Sequence, residues 1–221
     1  MNQEHQSLAL PLSSQHSIVG NGLNHVIAGS GCSGTTFLAH VFYEAEVGMG
    51  GVSPLEIGMY ERPVGGGMEH AEFVKINSQA LSLTREGQSA KEIANLLSKR
   101  MDVKWPVVMK DPRFSAAINV WGMAGFFPKH VWLCVRDPYH ILQSGQSAWG
   151  KKWTHLLYGG TFKTQFGLLV YCLEHDIPLS PIVFPRIGLD QLYAESVLRP
   201  FIPDPWPAIQ RVWDPSLVHY Q

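Results

Sequence analysis

Gly29-Ser30-Gly31-Cys32-Ser33-Gly34-Thr35-Thr36-Phe37 follows the short apolar run His25-Val26-Ile27-Ala28 and leads into Phe37-Leu38-Ala39-His40-Val41-Phe42. This order predicts a strand, a glycine-rich turn and a helix. Gly29 and Gly34 stand five apart with Thr35-Thr36 behind them. Such a backbone can curl round an anion and turn several N–H groups toward it, together with the positive end of a helix dipole. In a nucleoside-triphosphate loop of this spacing a Lys follows the second glycine and reaches the terminal phosphates, whereas Thr35 occupies that position here. The stretch predicts a phosphate-class ligand and argues against an ordinary ATP or GTP site. The alternative reading is a turn that merely lets a strand and a helix pack closely.

Two later stretches repeat the pattern of an apolar run ending in charge. Val107-Val108-Met109 runs into Lys110-Asp111-Pro112-Arg113, and His130-Val131-Trp132-Leu133-Cys134-Val135 runs into Arg136-Asp137-Pro138. Runs this short and continuous are expected of strands buried on both faces. Pro138 suits the first turn of a helix reaching about Trp149, and Asp137 reads as its cap or as half of a structural pair with Arg136. Helices are also expected over Glu69 to Arg85, over Ser89 to Met101 with a Ser89/Glu92 capping box, around Phe162 to Leu173, and over Asp190 to Leu198; Pro181 to Phe184 reads as a strand. Strands alternating with helices predict an α/β fold, a P-loop three-layer arrangement with a parallel central sheet flanked by helices. The polar stretch 1–24 reads as a loose lead-in, and 25–221 as a single domain.

Composition narrows the function. At 221 residues, 45% of them hydrophobic, the chain can bury a full core. With 17 basic and 18 acidic residues, net charge -1, no generally basic surface for nucleic acid or anionic membrane is expected, so an anion site must be local. Cys32, Cys134 and Cys172 are odd in number and far apart, which suggests no disulfide framework. No run is long enough to span a bilayer. These features suggest a cytoplasmic protein with no membrane span. The ten histidines have no metal-ligand spacing, so no metal is expected.

Arg136 and Ser144 stand eight apart, one at a strand's end and the other two turns into the following helix, so both can converge on one phosphate. With Gly29 to Phe37 and Lys110-Asp111-Pro112-Arg113, this resembles the sulfotransferase family that uses 3′-phosphoadenosine 5′-phosphosulfate. The likeness runs from about Val26 to Ser144. It implies that Gly31, Cys32, Ser33, Gly34, Thr35 and Thr36 form the 5′-phosphosulfate loop, that Phe37 meets the adenine, and that Arg136 and Ser144 hold the 3′-phosphate. It also implies that Lys110 lies near the transferred group, that no magnesium is needed, and that the acceptor is a hydroxyl or amine of a carbohydrate or small molecule.

The chain departs from the family in two places. Cys32 stands where the family has Arg or Lys before Ser-Gly-Thr-Thr, so charge on the bridging oxygen must come from Lys110, Arg113 or Lys151-Lys152. Pro112 stands where small-molecule sulfotransferases carry a His two residues after the strand-terminal Lys. The base is then sought in Val47 to Met68, a segment with seven glycines and two prolines that suits a pocket wall. Glu56 is the leading candidate by resemblance, with Glu61, Glu69 and His70 as rivals. Trp149, Trp153 and Tyr158 could line the acceptor pocket. The alternatives are a P-loop nucleotide kinase-like enzyme and a nucleotide-binding homologue without activity.

Overall fold

In the computed structural model, which describes residues 24–49, 67–102, 105–149 and 154–215, the first strand is β1 (His25–Gly29). Its alternate side chains enter different apolar clusters, Val26 and Ala28 one and Ile27 the other. The next strands, β2 (Val108–Lys110) and β3 (His130–Val135), divide in the same way: Met109, Val131 and Leu133 join the first cluster, Val108, Trp132 and Cys134 the second. A strand with both faces buried needs no polar side, which is why these runs are continuously apolar. With β4 (Leu179–Val183) they form one four-stranded, all-parallel sheet in the order β2-β1-β3-β4.

Helices cover both faces and make three layers. On one face lie α2 (Ala71–Arg85), α3 (Ala90–Met101), α4 (Phe114–Met123) and α6 (Thr154–Glu174), contributing Phe73, Leu97, Trp121 and Leu168 to the first cluster. On the other lie α1 (Thr35–Glu44), α8 (Gln191–Leu198) and α9 (Trp206–Val212), contributing Leu38, Phe42, Leu198 and Ile209. Helix α5 (Pro138–Trp149) follows β3, and a single turn, α7 (Arg186–Leu189), follows β4. Both large indoles of the core, Trp121 and Trp132, are wholly buried. The expected α/β architecture with a central parallel sheet is the observed one.

Local chemistry explains the ends. Ser89 and Glu92 form the expected capping box: the Glu92 N–H donates to Ser89 Oγ, and the Ser89 N–H donates to the Glu92 carboxylate at 2.8 Å. Asp137 Oδ1 accepts from the Tyr139 N–H at 2.8 Å, so Asp137 caps α5. Helix α2 begins at Ala71 instead of Glu69: His70 is its extended N-cap, and Glu69 before it pairs with Lys110 and Arg113. The sequence reading assigns no element to 114–129, where α4 forms with Phe114, Ala117, Ile118 and Trp121 buried at helical spacing. It also assigns none to the proline-dense tail, where α9 forms because Pro205 precedes the helix and Pro207 falls in its first turn, where no intrahelical N–H is required.

Each sheet edge takes hydrogen bonds from outside the sheet. Beside β2, the Val108 N–H donates to Gly48 O at 3.0 Å. Beside β4, the Tyr193 hydroxyl accepts from the Val183 N–H at 2.9 Å and donates to Pro181 O at 3.4 Å. A proline and a side chain occupying the strand's free edge leave little for another strand to pair with. Among the described residues, no helix is long and apolar enough to cross a membrane.

Candidate functional site at the carboxyl edge of the sheet

All four strands run the same way, so their carboxyl ends share one edge. That edge receives the glycine loop after β1, Lys110-Asp111-Pro112-Arg113 from β2, Arg136-Asp137 after β3 and Phe184 after β4. Crevices at the carboxyl ends of open parallel sheets are where such folds bind ligands.

The glycine loop is shaped by its neighbours as much as by its own sequence. Gly34, which precedes α1, has φ +95°, and a Cβ built on it would lie 2.6 Å from Phe184 Cγ, so both backbone and space require glycine. Cys32 adopts a left-handed φ of +64°. Ser33 is wholly buried and donates from Oγ to Ser30 O at 2.7 Å; its hydroxyl closes the turn. Thr35 is buried, Thr36 and Gly31 are half-buried. Helix α1 has no side-chain cap on its first N–H groups among the described residues and no acidic residue in its first turn, an arrangement that favours an anion.

Two residues that sequence reading did not single out hold this loop. Ser115, on α4, accepts from the Gly29 N–H at 3.0 Å and donates to Gly29 O at 3.1 Å, so one hydroxyl satisfies both backbone groups of the loop's first residue. Gln165, on α6, donates from Nε2 to Ser30 Oγ at 3.3 Å and to Cys134 O at 3.2 Å. Ser115 lies two residues after Arg113, next to a motif the sequence does mark, while nothing local marks Gln165, 135 residues from its partner.

Arg136 and Ser144 are both buried, 7% and 6% exposed. Arg136 donates from Nη1 to Cys32 O at 2.9 Å and places its guanidinium 5.2 Å from the centroid of the Phe184 ring. It thereby touches both the glycine loop and the end of β4. Phe184 also packs on Phe37, with centroids 5.6 Å apart, and Trp213 lies edge-on to Phe37 at 5.6 Å. Phe37 thus belongs to a three-ring aromatic group beside the loop. Phe184, at the end of a strand, and Trp213, in a proline-rich tail, carry no local sequence signal that they meet.

Lys110 and Arg113 are ion-pair residues, with Lys110 only 2% exposed, against the alternative that they are solvated charges flanking a turn. Lys110 Nζ donates to Glu69 Oε1 and to Gly67 O, both at 2.6 Å. Arg113 Nη1 donates to Glu69 Oε2 at 2.8 Å and to Asp111 Oδ1 at 2.7 Å. The chain continues inward: Asn77 Nδ2 donates to Asp111 Oδ2 at 2.8 Å, and Trp121 Nε1 donates to Asn77 Oδ1 at 2.7 Å. Burial pushes the Glu69 carboxyl up, but Lys110 and Arg113 outweigh it and hold it below the usual carboxylate range. Burial pushes Asp111 up, and Arg113 offsets part of that. Glu69, held by two cations, is a weak base. His70, another rival, packs edge-on against Phe73 with centroids 5.7 Å apart.

Burial, reinforced by Lys110 and opposed by Glu44, lowers the basicity of His40 on α1. Burial holds the Cys134 and Cys172 thiols protonated, Cys172 pushed up to about 11. Glu56, Glu61, Lys151, Lys152 and Trp153 lie outside the described residues, as do the side chains of Trp149 and Tyr158. Among the described residues, no group of three or more His, Cys, Asp or Glu is placed to hold a metal ion. Comparison with protein-family models, curated proteins and solved structures finds no match to this chain.

Proposed function

We propose that this chain is a sulfotransferase: it moves a sulfuryl group from 3′-phosphoadenosine 5′-phosphosulfate to a hydroxyl or amine of an acceptor, a carbohydrate or a small molecule. The observation that supports this most is the bond from Arg136 to the carbonyl of Cys32, 104 residues away in sequence. It joins the residue read as the 3′-phosphate anchor to the loop read as the 5′ site. The aromatic group of Phe37, Phe184 and Trp213 beside them suits a purine. Thr35, buried where a triphosphate loop has Lys, speaks against ATP.

In this reading Gly31 to Thr36 bind the 5′-phosphosulfate, Phe37 meets the adenine, and Arg136 with Ser144 holds the 3′-phosphate. The acceptor oxygen attacks sulfur as the bond from sulfur to the bridging phosphate oxygen breaks. The acceptor's proton passes to Glu56, and the electron pair stays on the departing 3′,5′-adenosine bisphosphate. Lys110 stabilises charge developing on that phosphate, a role that matters most in the transition state. A nucleotide binder without activity is the second reading, favoured by one observation: Lys110 directs bonds to Glu69 and Gly67.

The test is ligand-dependent stability followed by turnover. A ligand that binds only the folded state at a hundred times its Kd adds about 2.7 kcal/mol. 3′,5′-Adenosine bisphosphate should raise the Tm, and ATP with magnesium should not. Labelled donor should then pass its sulfuryl group to a member of a panel of sugars, phenols and amines. Stabilisation by ATP with magnesium alone would favour the kinase reading, and binding without turnover the inactive homologue.

A further inference from the structure

The Lys110, Arg113 and Glu69 cluster has an arrangement that a simple ion pair does not need. Both cations stand at the carboxyl edge on or beside regular elements, Lys110 as the last residue of β2 and Arg113 immediately before α4. They are fixed beside the glycine loop: the Asp111 N–H donates to Ile27 O at 3.3 Å, and Ser115 of α4 holds Gly29. Glu69 lies in the non-helical stretch 67–70 that leads into α2; Met68 beside it is wholly buried and Gly67 O is bonded to Lys110, so the backbone is anchored and only the Glu69 side chain is free to swing out. Its two carboxylate oxygens are shared out, Oε1 to Lys110 and Oε2 to Arg113. That is how a bound oxyanion would divide its oxygens between two fixed donors.

We propose that Lys110 and Arg113 form a binding site for a tetrahedral oxyanion of the sulfate or phosphate class, that the Glu69 carboxylate occupies it as an internal surrogate, and that an entering oxyanion displaces Glu69. Burial sets the direction of exchange: Lys110, 2% exposed, cannot follow its partner out, whereas the Glu69 side chain is 13% exposed and Arg113 23%. A buried ammonium without a counter-charge is strongly unfavourable, so Glu69 leaves as the ligand arrives and returns as it departs. Arg113 keeps Asp111 throughout, which holds its guanidinium in place for either occupant. The glycine loop's donor would present its sulfuryl oxygens here, and to that extent the inference rests on the sulfotransferase reading; the oxyanion site itself does not.

The experiment is titration of the full chain, Glu69→Gln, and Glu69→Gln/Arg113→Gln with inorganic sulfate, and separately with inorganic phosphate, against chloride at equal ionic strength. If Glu69 fills the site in nine molecules of ten or more, removing its charge should tighten sulfate binding by about tenfold or more. The double variant should lose that gain. A stronger response to phosphate than to sulfate would assign the site to a phosphate group of the nucleotide in place of the sulfuryl group. Unchanged affinity in Glu69→Gln, or a gain that survives in the double variant, overturns the proposal. Should Glu69→Gln fail to fold, Glu69→Asp takes its place: its shorter carboxylate reaches the two cations less well, so sulfate should bind more tightly than to the wild type, and unchanged affinity overturns the proposal. Bisphosphate binding, measured in parallel, separates the two readings. Bisphosphate binding without a sulfate gain sinks this inference alone, and a sulfate gain without bisphosphate binding sinks the sulfotransferase reading alone.

Discussion

The guanidinium of Arg136 donates to the carbonyl oxygen of Cys32 at 2.9 Å. Arg136 lies after the strand beside β1, so a residue read as a phosphate anchor also braces the turn at which the other end of the ligand is expected. Replacing it should therefore have two effects of different size.

Arg136→Ala should weaken 3′,5′-adenosine bisphosphate binding by roughly 2 to 3 kcal/mol, and Ser144→Ala by about 1 kcal/mol, because Arg makes charge-assisted bonds and Ser a neutral one. Adenosine 5′-phosphosulfate, which lacks the 3′-phosphate, should be insensitive to Ser144→Ala and only slightly sensitive to Arg136→Ala, through the lost Cys32 contact. Calorimetric titration of both nucleotides checks this. Equal losses for the two would mean that the pair holds the fold and not a phosphate.

Gly34→Ala meets two separate obstacles. The left-handed backbone, φ +95°, disfavours a side chain by roughly 1 to 3 kcal/mol. The collision of its Cβ with Phe184 at 2.6 Å adds about 1 to 3 kcal/mol of overpacking. Gly34→Ala/Phe184→Ala should remove the clash and leave the backbone strain, so adding Phe184→Ala should lower stability less in the Gly34→Ala background than in the wild type. Urea unfolding of the four chains measures this coupling. Strict additivity would show that the two sites do not interact.

Glu56→Gln keeps size and hydrogen bonding but cannot take a proton. It should remove most turnover and leave bisphosphate affinity unchanged. Glu69→Gln is the comparison: its carboxylate is already held by two cations. If Glu56→Gln turns over normally and His70→Ala does not, the base is in the stretch leading to α2.

At the opposite end of the sheet, the first residues of β1 and β3 place His25 and His130 side by side, centroids 5.6 Å apart, against Phe201. Burial, then the neighbouring His25, lowers His130 from 6.5 to about 4; burial, then Lys129, lowers His25. Well above pH 6.5 these rings are neutral whether the chain is folded or not. As pH falls below 6.5, the unfolded chain takes up protons that the folded chain refuses, so stability declines down to about pH 4. His130 alone accounts for up to about 3 kcal/mol of this loss. His130→Phe should flatten the dependence of unfolding free energy on pH across that window, measured by urea titration at a series of pH values. An unaltered slope would show that His130 is not the group responsible.

The sequence alone determined the layout. Short continuous apolar runs at Val26 to Ala28 and Val131 to Val135, each ending in glycine or charge, read as strands covered on both faces, and a strand followed by glycines and a helix marks the sheet edge at which such folds bind ligands. Ser89, Glu92, Asp137 and Pro138 announced their helix starts because capping is local chemistry. Tertiary structure decided what depends on long-range meeting. Nothing near Phe184 or Trp213 tells that they close on Phe37, and nothing near Gln165 tells that it bonds to Ser30. The fate of Lys110 is the clearest case. Its position at a strand's end is legible, but whether it faces a ligand or a carboxylate depends on how the chain returns from residue 67 to 70, and that return brings Glu69 onto its ammonium. Sequence spacing specifies which charges exist at an edge, and only packing settles which of them neutralise one another.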